Sequence, residues 1–94
     1  ANAARGTMIQ IESSFSADMP GIKWSVRLED EAGTVFAAID RPIWAQDRFG
    51  LLVPAHIAAG EYQVVARLYD EATLAPIPST TGVVDVPLFT VMIR

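Results

Sequence analysis

From Ile22 to Asp30 the chain alternates, with Ile22, Trp24, Val26 and Leu28 falling on one side and Lys23, Ser25, Arg27 and Glu29 on the other. Period two with one apolar side predicts a half-buried strand. Gly60 to Asp70, GEYQVVARLYD, repeats the pattern and opens on a Gly-x-Tyr step. After the first strand, Glu31-Ala32-Gly33 predicts a short hairpin connection, with Gly33 supplying a positive-φ position, and Thr34 to Asp40 returns as a strand that Pro42 stops. Further strands are predicted at Thr7 to Ser14, at Arg48 to Val53 before Pro54, and at Asp85 to Ile93, where Pro87 fits only an edge or a strand start. Leu74 to Ile77 is a candidate seventh strand. No long segment carries a 3.6-residue period, and Ala55 to Ala59 makes one helical turn at most. The predicted fold class is all-β.

Tyr62 narrows that class. In immunoglobulin/fibronectin type III-like Greek-key sandwiches of about seven strands, a Tyr near the start of strand F returns its hydroxyl to backbone a few residues upstream. Ile57-Ala-Ala-Gly60 provides the apolar anchor and flexible corner that such a Tyr needs. Gly60 to Asp70 is then strand F, Ile22 to Asp30 strand B with Trp24 in the core, and Thr34 to Asp40 strand C. The two long strands also end alike, Arg27-Leu28-Glu29-Asp30-Glu31-Ala32 echoing Arg67-Leu68-Tyr69-Asp70-Glu71-Ala72. Two copies are too few for a repeat architecture, so the echo reads as shared turn chemistry, an Asp capping its own backbone. With B to C and F to G connections at one pole, Asp30, Glu31, Asp70 and Glu71 would gather there. Four carboxylates suit Ca²⁺, although no D-x-D-x-D-G ligand loop is present and a solvated acidic rim is the simpler reading.

Ninety-four residues fit a single domain over 1–94, with residues 1–6 read as a disordered or appended leader. The 51% apolar content against 19% charged supports a packed core rather than disorder, and the net charge of -4 disfavours nucleic acid. There is no cysteine, so disulfides and thiolate chemistry are out. No apolar run approaches the roughly 18 residues of a membrane span. His56 stands alone, the serines lack a G-x-S-x-G elbow, and the glycines are too dispersed for a phosphate loop. The carboxylate pair Asp40 and Asp47 would need a cleft that so small a domain rarely forms. The chain therefore reads as no enzyme, with no cofactor. Trp44 and Phe49, in the crossover Arg41 to Gly50, are the candidate interaction residues: Trp44 either plugs the sandwich edge, the favoured reading, or forms a platform for sugar or a protein partner. Val65, Val83, Val84, Leu88 and Met92 exceed what one core holds, which predicts exposed apolar surface.

Leu28-x-Asp30-x-x-Gly33, Leu52-Val53-Pro54, Gly60-Glu61-Tyr62 and Leu68-Tyr69-Asp70-x-x-Thr73 together resemble the C-terminal β-sandwich of bacterial multi-pass membrane glycosyltransferases. Those proteins are similar to dolichyl-phosphate-mannose protein mannosyltransferases. The likeness runs from about Ile22 to Ile93 and departs from the family's L-Y-D-x-x-T-G at Leu74, where Gly would stand. It implies a non-catalytic accessory module on the extracytoplasmic face of a bacterial membrane, excised from a larger membrane protein that carries the catalytic acids. Its partners would be that parent, another protein, or carbohydrate. The alternative is a free-standing carbohydrate-binding or adhesion module.

Overall fold

The structure is a computed structural model and describes residues 1–94. Its elements are β1 (Asn2–Ala3), β2 (Met8–Ser14), β3 (Met19–Glu29), β4 (Val35–Ile43), β5 (Gln46–Leu52), β6 (Gly60–Asp70), β7 (Pro76–Ile77) and β8 (Val86–Ile93). The chain is all-β, and no helix is long and apolar enough to cross a membrane. One sheet has six strands, in the order β1-β8-β6-β3-β4 with β7 added on β6, and the other pairs β2 with β5.

Alternation placed the strands within a few residues but not all their partners, and Pro42, read as the stop after Asp40, instead lies inside β4, where the edge position tolerates it. β3 and β6 are antiparallel neighbours, from Ile22 opposite Asp70 to Glu29 opposite Gln63. The reading of Ile22 to Asp30 as strand B is thereby corrected, and with it that of Thr34 to Asp40 as strand C, because B and F of an immunoglobulin-type fold lie in opposite sheets and the strand beside F is β3, not β4. Strand periodicity says which face is apolar and carries no information on which edge meets which neighbour. The first residues, read as a disordered or appended leader, are paired: β1 runs parallel to β8, Gly6 N donates to Val53 O, and Arg5 Nε donates to Arg94 O at 3.2 Å. The signal missed there is short, since two residues cannot show a period.

The core lies between the sheets. Ile9, Ile11, Phe49 and Leu51 from the small sheet meet Trp24, Val26, Leu28, Val64 and Val91 from the large one. Trp24 is held edge-to-face by Phe15 at 5.3 Å and Phe49 at 5.8 Å between ring centroids. The hydroxyl of Tyr62 donates to Ala58 O at 2.7 Å, the corner bond expected of it. Phe36 is the extra residue of a bulge opposite Leu28 and Glu29, and its ring lies edge-on to Tyr62 at 5.5 Å. A second bulge makes Leu88 the extra residue opposite Val64 and Val65.

Unequal sheet widths set the outline. A two-stranded layer cannot cover an inner face five strands across, so apolar side chains stay partly open along both flanks. One flank lies between β4 and β5, the other between β2 and β8.

Candidate interaction site at the sheet crossover

β4 and β5 are joined by Trp44 and Ala45 alone, and these two residues carry the chain from one sheet to the other. The crossover is pinned on both sides: Ala45 N donates to Asp18 Oδ1 at 2.6 Å, and Phe15 N donates to Ala45 O at 2.9 Å. Beneath it the Arg41 guanidinium grips Asp47 in two parallel bonds, Nε to Oδ2 at 3.0 Å and Nη2 to Oδ1 at 2.8 Å. The same guanidinium lies 5.1 Å from the Trp44 ring centroid and 5.4 Å from that of Phe49. Hydrogen bonding from Arg41 holds the Asp47 carboxyl below the usual carboxylate range against the opposing effect of burial.

Trp44 therefore does not plug the edge. Its side chain is 46% exposed, while Phe49 is 8% exposed and belongs to the core, which corrects the plug reading of the first and the interaction role of the second. Arg41 explains the outcome, because a cation bound to its carboxylate offers an aromatic ring a stable seat at the surface. Beside Trp44 is an open recess of about 360 Å³ whose lining includes Asp18, Met19, Gly21, Pro42 and Glu71.

The four acidic candidates are not brought together. Asp30 and Glu31 leave the end of β3 that lies beside the start of β6, whereas Glu71 N donates to Gly21 O at the opposite end. The direct pairing of β3 with β6 sends the two turns to opposite poles, and no group of three or more His, Cys, Asp or Glu is arranged to hold a metal ion. The echoed sequence does encode one turn chemistry. Asp30 Oδ1 accepts from Ala32 N and Thr34 N, and Asp70 Oδ1 accepts from Ala72 N and Thr73 N, the latter pair holding the Asp70 carboxyl below its ordinary range. Gly33 takes φ +85° in the first turn and Leu74 takes +64° in the second, so Leu74 occupies a conformation that favours glycine. Lys23 approaches Glu71 at 3.5 Å.

One charged cluster escaped the sequence reading. On the outer face of the large sheet, Asp85 accepts from Arg67 Nε and Nη2 at 2.7 and 2.8 Å and from Arg27 Nη2 at 2.7 Å. Hydrogen bonding from Arg67 leads in lowering the Asp85 carboxyl to about 2. Arg27 Nε also lies 3.2 Å from Glu29, within ion-pair reach but without hydrogen-bond alignment. Asp85 opens the predicted last strand, but periodicity does not say which strands flank it, so only the sheet order reveals its partners. Asp40 pairs opposite Ser25 on that outer face while Asp47 is turned to Arg41, so the two carboxylates do not flank a cleft. His56 is exposed. No family model, curated protein or solved structure matches this chain.

Proposed function

We propose that this chain is a non-catalytic interaction module of immunoglobulin/fibronectin type III-like Greek-key type that contacts its partner through the Trp44 face. The observation that carries this reading is the half-exposed Trp44 ring, seated on an Arg41 that Asp47 immobilises. An aromatic ring fixed in place before contact loses little side-chain entropy on binding, which is why such rings dominate interface energetics. The strand path β8-β6-β3 follows the G-F-C order of those folds, and β2 with β5 matches B with E. The four motifs from Leu28 to Thr73 support a parent of membrane glycosyltransferase type, with the module on the extracytoplasmic face.

A second reading, a carbohydrate-binding or adhesion module, is favoured by the two carboxylates Asp18 and Glu71 that line the recess beside Trp44. Sugar recognition combines a flat ring with acceptors for hydroxyls. Trp44→Ala tests the shared site: melting should change by no more than the equivalent of about 1 kcal/mol, while partner or glycan binding is lost. Unfolding of the variant, or unchanged binding, would overturn the Trp44 face. The full coding sequence and a glycan array then separate the readings. Several upstream runs of about 20 apolar residues with a silent array support the membrane-parent module, and saturable glycan binding without such runs supports the alternative.

A further inference from the structure

The flank between β2 and β8 is open in a way that the Trp44 face is not. β2 is hydrogen-bonded along one edge only, to β5, so its other edge offers a row of free backbone donors and acceptors. β8 is covered on its outer edge by β1 only at Met92 and Ile93, which leaves Val86 to Val91 without a strand on that side. Between these edges runs a groove of about 350 Å³ floored by Ile11, Phe15, Trp24, Leu88 and Phe89. Phe89 pairs opposite the inward-facing Val64 and is nonetheless 37% exposed, because the small sheet ends before reaching it.

Two polar atoms set this groove apart from a merely uncovered apolar strip. Trp24 is 5% exposed and its Nε1 has no acceptor, and Ser13 Oγ is buried without a partner. Both residues line the groove. A buried donor left unmade costs about 1–3 kcal/mol, and native folds rarely keep two such groups in one groove without a use. Glu12, the one ionisable residue lining the groove, is exposed and already paired with Arg48 Nη2 at 2.8 Å, so the charge preference comes from the net charge of -4 of the whole chain, which favours a basic strand over a second copy.

We propose that the groove between β2 and β8 takes an extended peptide strand of a basic partner protein, with apolar side chains at alternate positions. The strand pairs its backbone with the free edge of β2, which widens the small sheet to three strands. Its inward side chains cover Phe89 and Leu88. A carbonyl of its backbone, or a polar side chain, accepts from Trp24 Nε1 and meets Ser13 Oγ. Main-chain pairing supplies affinity and the alternate pockets supply selectivity, as in other strand additions at a sheet edge.

The probe is a capped peptide as long as β2 that alternates valine with threonine and carries one lysine, titrated into the ¹⁵N-labelled chain. Saturable shifts should map to β2, to β8 and to the Trp24 indole N–H, with the Trp44 indole unmoved. Ser13→Ala and Trp24→Phe should each weaken binding about fivefold, Phe89→Glu should abolish it with the melting temperature kept, and exchange of the peptide's lysine for glutamate should weaken it. Where Trp24→Phe fails to fold, Ser13→Ala and Phe89→Glu decide. Absence of saturable shifts, shifts on β4 and β5 instead, or wild-type affinity in Ser13→Ala and Phe89→Glu overturns the proposal. Sedimentation showing dimers that Phe89→Glu dissolves would make a second copy the occupant and overturn it equally.

Discussion

The two flanks of this protein meet the same geometric problem, a narrow sheet over a wide one, and resolve it differently. Between β4 and β5 the chain crosses directly, Arg41 is locked to Asp47, and Phe36 folds over Tyr62 through a bulge. Its polar groups are partnered, Arg41 by Asp47 six residues on, Tyr62 by Ala58 four residues back, and Ala45 by Asp18 and Phe15 across the crossover. Between β2 and β8 no connection crosses the groove. Ser13 and Trp24 keep unpartnered polar atoms, and the bulge at Leu88 turns apolar surface outward. What ties β8 down is on the other side of its sheet, where Asp85 grips Arg27 and Arg67. A flank crossed by the chain satisfies its own polar groups, and one without a crossing leaves some of them unpartnered.

The largest effect expected is at the braced flank. Asp47→Ala removes a carboxylate with 5% side-chain exposure and strands Arg41, and should cost about 3 kcal/mol by urea denaturation. A loss under a third of that would mean the pair braces nothing. Tyr62→Phe keeps the ring against Phe36 and removes only the bond to Ala58 O, so about 1 kcal/mol should be lost in the same measurement. No loss would show the corner bond to be incidental.

Acid titration probes the other flank. Asp85 has its folded value lowered to about 2 from 3.8, so its contribution is fully present well above 3.8 and is lost as pH falls through about 2. Melting temperatures should therefore decline from pH about 5 to about 2, and Asp85→Asn should flatten part of that decline. Asp47, also lowered, should leave its own share of the acid limb intact in that variant. An unchanged acid limb would detach Asp85 from the stability of β8. The smallest effect has the opposite sign: Ser13→Ala removes an unpartnered hydroxyl and should raise stability by roughly 0.5 kcal/mol. A clear loss would show that Ser13 is already satisfied and that the two flanks are alike.

Local chemistry made much of this molecule legible in the sequence. Alternation at Ile22 to Asp30 and Gly60 to Asp70 located the two long strands within a few residues, because pleating puts successive side chains on opposite faces whatever the neighbour. Gly60-x-Tyr62 yielded the corner bond, and the repeated Asp yielded both capped turns, since each involves atoms within a few residues of one another. Sequence alone thus determined the all-β class, the inward row of Trp24, Val26 and Leu28, and the two Asp-capped turns. Only the tertiary structure decided that β3 and β6 are neighbours, which separated Asp30 from Asp70, that Arg41 lifts Trp44 to the surface while Phe49 sinks, and that Asp85 meets two distant arginines. The physical reason is that a strand's two edges present the same backbone groups whichever residues it carries. Edge choice, and with it every long-range meeting of side chains, is settled by how the sheets pack as a whole.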